Sequence, residues 1–221
     1  MKRLTDIGCI IIFFLTVGVF FYPTILQRKL PVPSDSLVGL YHPWRDLYKD
    51  TNPRGVPFKN FLITDPVRQL IPWRKAAIDQ WKDRILPRWN SYNFSGTPLA
   101  GNIQAAVFYP LNVLFLLFDF PVAWTLLIIL QPALAGFFLY GYLRNRHLHP
   151  YAALLGGIAW SFSGFAIAWM TWGTIVHVAL WLPLVLLSID KLIEGRQRSQ
   201  NIVWSLFLAV GLAMQVFAGH I

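Results

Sequence analysis

Five stretches of this chain, residues 7–26, 121–143, 151–170, 175–188 and 202–219, are apolar over lengths near or somewhat below the ~20 helical residues that cross a lipid core. Hydrocarbon offers a backbone no hydrogen-bond partner, so each such stretch satisfies its own amides by folding as a helix. Composition agrees, because 56% hydrophobic residues with 13% charged is too apolar for an ordinary soluble domain. The fold expected is an all-α integral membrane protein with about five transmembrane helices. The first stretch follows Met1, Lys2 and Arg3 and runs through Phe20, Phe21 and Tyr22 without a small-residue cleavage site, so residues 1–27 are read as an uncleaved signal anchor. Cys9 is the single cysteine, which leaves no disulfide or cysteine-based metal site within one chain.

Residues 105–120 are the ambiguous piece, interrupted by Pro110 and Asn112 and closed by Asp119 and Pro121. Lys2 and Arg3, the turn with Arg144 and Arg146, and the turn with Lys191, Arg196 and Arg198 are the short basic sites, whereas the turn at Trp172-Gly173-Thr174 is uncharged. A cytoplasmic location for all three basic sites requires that residues 105–120 do not cross. They are therefore expected to form an interfacial or re-entrant helix on the outer face, ahead of a four-helix transmembrane region over 121–221. The N-terminus is then cytoplasmic and residues 28–104 form a long extracytoplasmic loop of short amphipathic helices. Its positive charge is no obstacle, since loops beyond ~60 residues translocate largely regardless of charge.

That loop carries twelve Lys or Arg against six Asp, which calls for an anionic partner at the membrane surface, lipid phosphate being the simplest and nucleic acid not expected. It also repeats a phrase, an aspartate followed seven or eight residues later by Pro-Trp-Arg: Asp35 with Pro43, Trp44 and Arg45, then Asp65 with Pro72, Trp73 and Arg74. Prolines cut the loop into short elements, of which residues 66–84 are the best helix, with Asp65 as N-cap and Pro66 at the first helical position. Leu70, Trp73, Ala77 and Trp81 fall on one face, leaving Arg68, Arg74 and Lys75 toward the polar side or the headgroups.

Carboxylate, aromatic plane and guanidinium together suit a sugar phosphate. Asp35 and Asp65 are the candidate catalytic residues, as general base on an acceptor hydroxyl or as holders of a divalent cation. The plainer roles are a helix cap for Asp65 and a loop aspartate paired with a neighbouring cation for Asp35. Arg45, Arg68 and Arg74 are the phosphate-binding candidates. His42 is a candidate donor or second base beside the sugar, or an interfacial histidine bonded to backbone or water. Trp44, Trp73 and Trp89 offer stacking surfaces or belong to the aromatic belt of the interface. Asn90 and Asn102 stand in an amide- and hydroxyl-rich stretch, residues 86–102, of the kind that binds vicinal hydroxyls, though turns favour the same residues. His177 and His220 fall near the outer ends of their spans. No acidic or histidine cluster has tight metal-ligand spacing, so a cation would be held by Asp35, Asp65 and phosphate oxygens. Competing readings are a transporter or flippase for lipid-linked sugars, which the few polar span residues (Gln131, Ser161, Ser163, Gln215) disfavour, and a scaffold binding a partner through its tryptophan-rich loop.

Several spaced motifs carry a resemblance: Asp65-Pro-Val-Arg-Gln69-Leu-Ile-Pro72-Trp73, Leu86-Pro87-Arg-Trp89-Asn90-Ser-Tyr92, Gly96-Thr-Pro98-Leu-Ala100-Gly-Asn102, Phe108-Tyr109-Pro110-Leu111-Asn112 and Ala218-Gly219-His220. Together they resemble the N-terminal part of the YfhO-type bacterial membrane proteins, a family similar to the C-type membrane glycosyltransferases. The resemblance implies residence in the bacterial cytoplasmic membrane, a polyprenyl-phosphate-linked sugar as donor and a glycan or lipid acceptor. It further implies an essential acidic residue in the first outer loop. Two departures stand out. This chain has two aspartates where the family pattern has one, position favouring Asp35 and the following motif Asp65. Relatives of this kind also have ten or more spans and a soluble outer domain, so the chain is read as an N-terminal fragment.

Overall fold

The computed structural model describes residues 2–51, 53, 63–195 and 197–220. Helix α1 (Lys2–Phe20) is followed by α2 (Tyr22–Gln27), α3 (Asp35–Leu40) and α4 (Trp44–Leu47). A π-turn over Pro66–Leu70 leads into α5 (Ile71–Lys82); β1 (Trp89–Asn90) and β2 (Thr97–Pro98) form a two-residue antiparallel ladder pairing Trp89 with Pro98 and Asn90 with Thr97. Two 3-10 turns, Ile103–Ala105 and Pro110–Val113, and α6 (Leu114–Leu117) complete the segment between α1 and α7, hereafter the crown. Then come α7 (Phe120–Asn145), α8 (Pro150–Ser161), α9 (Gly164–Trp169), α10 (Ile175–Ala179), α11 (Leu182–Glu194) and α12 (Arg198–Phe217).

Among the described residues four helical segments are long and apolar enough to cross a membrane: Phe120–Asn145, Pro150–Trp172, Ile175–Glu194 and Arg198–Phe217. The first expected span is shorter, an apolar helix over Leu4–Phe20, because the chain breaks at Phe21 ahead of Pro23. Two spans expected to be continuous are jointed. In the first, Ser163 stops α8 by restarting the chain, its hydroxyl accepting from the Ala166 amide at 3.3 Å as the N-cap of α9. In the second, α11 begins afresh at Leu182 with Pro183 in its first turn, where a missing N–H costs nothing.

Helix direction can be read from pairwise contacts. Cys9 and Tyr140 share a cluster, and Gly136 lies against the Phe13 ring, so α1 is antiparallel to α7. Gly157 meets Gly136 and the Ser161 hydroxyl donates to the Pro132 carbonyl at 2.8 Å, making α8 antiparallel to α7 as well. Small residues let these backbones approach, which is how helices associate when lipid removes the hydrophobic drive. Arg146 reaches Asp190 at 3.3 Å, placing the end of α11 beside the end of α7. At the opposite end, Gly219 abuts Ala106 and Thr174. The crown thus leaves and re-enters the bundle at one end. Residues 105–120 consist of short turns and the four-residue α6 rather than a spanning helix. One core joins both parts: Phe13 and Val17 of α1, Phe21 at the break after it, Ile78, Tyr109 and Phe115 of the crown, and Trp124, Leu127 and Ile128 of α7.

At the far end a charged latch fixes α1. Arg144 donates from Nε to Asp6 at 2.6 Å and from Nη2 to its second oxygen at 3.2 Å, the Tyr140 hydroxyl donates to Asp6 at 2.5 Å, and Arg144 also donates to the Leu148 carbonyl. Asp6→Asn loses the charge-assisted part of these bonds and is expected to cost about 2 kcal/mol. Detergent-induced unfolding in micelles checks it; an unchanged midpoint would mean the latch holds nothing.

Candidate functional site

The expected site residues fall into an exposed rim and a buried knot. On the rim, Asp35 opens α3 and is exposed, with no hydrogen bond or ion pair among the described residues. Asp65 is half-buried and likewise unpaired. Its expected capping role is not met: Asp65 has helical dihedrals (φ −57°, ψ −41°), makes no side-chain cap bond, and the Thr64 carbonyl accepts from the Arg68 amide at 2.9 Å instead. The helix starts one residue earlier than the Asp-Pro pairing suggests. Arg68 is exposed, its guanidinium 5.7 Å over the Tyr41 ring. That contact ties the segment beginning at Asp35 to the one beginning at Asp65.

Arg45 and His42 are committed elsewhere on the rim. Both face Asp46, which sequence reasoning passed over: His42 Nδ1 lies 2.5 Å from one oxygen and Arg45 Nε 3.4 Å from the other. The single turn of α4 and its approach bring positions 42 and 46 together as i, i+4 neighbours. The His42 hydrogen bond, with Arg45 adding to it, holds the Asp46 carboxyl below the ordinary aspartate value. The carboxylate form therefore persists below that ordinary value and is lost only as pH falls through the lowered one. A carbon-detected NMR titration is expected to find Asp46 among the last aspartates of the rim to protonate.

Trp44 and Trp89 are each about half exposed. One face of Trp89 is already used, because its indole lies over Gly96, whose φ of +119° admits few side chains and whose missing Cβ makes room for the ring. Asn90 is buried and its Oδ1 accepts from the Tyr92 amide at 3.0 Å, a turn role. Trp73 is half-buried against the cluster of Ala77, Leu99, Ala105 and Val107. Asn102 is half-buried beside a cavity lined with Ile103, Phe108 and Phe217.

Arg74 departs from its expected place. It was expected toward the headgroups and is 1% exposed. The reason is helical register: positions 70, 74, 77, 78 and 81 form one stripe, so Arg74 lies between Leu70 and Ile78 on the face turned to the bundle. Its Nη1 donates to Asn112 Oδ1 at 3.2 Å and its Nη2 to the Gly173 carbonyl at 3.4 Å, with the guanidinium 5.9 Å over the Trp124 ring. Asn112 is fixed in turn by donating Nδ2 to the Ala106 carbonyl at 2.6 Å.

Beside it runs a relay that sequence reasoning did not assemble, although it named Tyr109 and Asn112 in one motif and His177 alone. Trp181 Nε1 donates to the Tyr109 hydroxyl at 3.2 Å, and that hydroxyl lies 3.0 Å from His177 Nδ1. His177 Nε2 lies 3.0 Å from the Leu127 carbonyl, which can only accept, so the imidazole carries its proton on Nε2 and accepts from Tyr109 at Nδ1. Burial pushes the Tyr109 phenol up from its ordinary value, so it stays protonated and can donate. Burial also draws Arg74 down to about 10, leaving it cationic at neutral pH.

Among the described residues no three His, Cys, Asp or Glu side chains gather closely enough to hold a metal ion. The four polar span residues each serve the backbone: Gln131 donates to the Met170 carbonyl at 2.9 Å, Ser161 to Pro132, Gln215 to Val178 at 3.2 Å, and Ser163 caps α9.

Among known protein families, the model described as bacterial membrane protein YfhO matches residues 101–213, just over half of the chain. It covers Tyr109, Asn112, Trp124, His177 and Trp181, while Arg74 reaches the knot from outside the matched span. No curated protein and no solved structure matches.

Proposed function

Because the chain belongs to the YfhO family of bacterial membrane proteins, we propose that it serves sugar transfer from a polyprenyl-phosphate donor to an acceptor hydroxyl at the extracytoplasmic face, the product being a cell-envelope glycan or lipid. The observation that carries this reading is the Arg68–Tyr41 contact, which joins the two crown segments bearing unpaired Asp35 and Asp65. Orientation follows from charge: the short basic sites, with Lys2, Arg144, Lys191 and Arg198, belong to the end opposite the crown, and such sites stay cytoplasmic.

In the proposed reaction an acceptor oxygen attacks the anomeric carbon, its proton passes to Asp35 or Asp65, and the bond from that carbon to the phosphate oxygen breaks with its electrons staying on phosphate. Guanidinium groups stabilise the charge that builds there. A translocation path would need a file of free polar groups along the spans, whereas Nε2 of Gln131 and Gln215 and the hydroxyls of Ser161 and Ser163 serve backbone contacts, leaving the single buried Gln131 Oε1 unpartnered among them. That favours chemistry at the crown over passage through the bundle.

The test uses the full-length protein in membranes with a labelled sugar on a polyprenyl phosphate. Asp35→Asn or Asp65→Asn, whichever removes the base, is expected to lower transfer ~100-fold. Undiminished transfer in both variants and in the double variant would sink the reading.

A further inference from the structure

Arg74 has more charge than its surroundings account for. A guanidinium offers five N–H donors. Both partners in the structure are neutral, the Asn112 amide oxygen and the Gly173 carbonyl, and the buried Nε has none. No carboxylate lies within ion-pair distance of Arg74 among the described residues. A cation so placed is costly unless an anion meets it, and the Trp124 face compensates only in part.

Two more buried donors in the same neighbourhood are unpartnered, Trp124 Nε1 and Thr171 Oγ1. Gly173 joins them: its carbonyl accepts from Arg74, a Cβ on it would touch the Trp124 ring at 3.2 Å, and Thr171 is two residues away on the same turn. Three donors, Arg74 Nε, Trp124 Nε1 and the Thr171 hydroxyl, thus stand unpartnered here against one unpartnered acceptor, Gln131 Oε1, whose Nε2 donates to the Met170 carbonyl. Next to the knot opens a cavity of about 260 Å³ lined by Ile78, Trp81, Phe108, Tyr109, Asn112 and Leu116. Asn112 is both a wall of that cavity and the partner of Arg74.

We infer that Arg74 receives a phosphate group entering past Asn112, with the apolar chain attached to that phosphate lying in the cavity under Trp81 and Phe108. This rests on the phosphate-linked donor proposed above and selects one arginine from three: Arg45 is held by Asp46 and Arg68 lies over Tyr41. On entry the phosphate oxygens take the Nε donor and replace Asn112 at Nη1, converting a lone buried cation into a charge-assisted pair.

The experiment measures thermal stabilisation of the full-length protein in detergent by three additions: farnesyl phosphate, inorganic phosphate, and phosphatidylglycerol in mixed micelles. Farnesyl phosphate is expected to raise the melting temperature of the wild type. Arg74→Met is expected to weaken its apparent affinity at least ~tenfold, while Arg45→Met leaves it unchanged. The same loss with phosphatidylglycerol would assign the phosphate to a lipid headgroup, and with inorganic phosphate to a free anion; both support the site. Should Arg74→Met fail to fold, Arg74→Lys keeps the charge without the fork and is expected to weaken binding ~threefold or more. Equal affinities in wild type and the Arg74 variants for all three additions would overturn the inference. Arg74-dependent binding without any sugar transfer would instead overturn the proposed reaction and leave this site standing.

Discussion

Replacing Gly157 with leucine is expected to force α8 away from α7 and to cost the bundle about 3 kcal/mol, the upper part of the range for overpacking a tight contact. The two backbones nearly touch there. A single Cβ on Gly157 would stand 2.9 Å from the Gly136 carbonyl oxygen, and that oxygen is fixed in the middle of a 26-residue helix. Gly136 has no slack to offer either, since its own missing Cβ is where the Phe13 ring and the Ser161 hydroxyl sit. The contact therefore locks three helices, α1, α7 and α8, and a branched side chain unseats all of them. Unfolding in mixed micelles of increasing denaturing detergent reads the loss. Gly18→Ala is the control, because nothing lies within 4 Å of its Cβ position, and it is expected to be neutral or mildly stabilising. A Gly157→Leu protein as stable as the wild type would mean the helices are not packed in this way.

The second large effect is expected from removing one oxygen. Tyr109→Phe conserves the ring in its packed site yet leaves the Trp181 N–H without an acceptor and His177 Nδ1 without a donor, both in the buried knot. At about 1–3 kcal/mol for each buried polar group stranded, the variant should lose roughly 2–4 kcal/mol. Hydroxyl loss alone must explain it, because no cavity is created. Adding Trp181→Phe to the same protein removes one of the stranded groups, so the double variant is expected to lose less than the two single variants summed. Additive losses would show that the relay is not a coupled unit.

Much of this architecture is visible in the linear chain, and the reasons differ by element. The spans announce themselves because twenty apolar residues have few other homes, and the non-crossing nature of residues 105–120 follows from where the basic turns must lie. Joints within spans are harder to foresee, since Ser163 and Pro183 disturb hydropathy little while redirecting the backbone. A cation reads as belonging to the polar face because burying charge is costly, and Arg74 is nonetheless buried. Its spacing of four from both Leu70 and Ile78 was the signal that it belongs to the buried stripe. Asp46 was passed over because a lone aspartate in a proline-rich loop has no pattern of its own until the fold sets it beside His42. The relay through Tyr109, His177 and Trp181 joins positions up to 72 residues apart, a distance at which periodicity carries no information.

The latch between Asp6 and Arg144 bears on how the molecule is made. Its partners are separated by 138 residues. At a ribosome pace of about 5–20 residues per second, roughly 7 to 28 seconds separate the addition of Asp6 to the chain from that of its guanidinium partner. During that interval α1 carries Asp6 without the Tyr140 hydroxyl and the Arg144 guanidinium that hold it in the finished bundle. Docking of α7 is the event that completes the packing of α1.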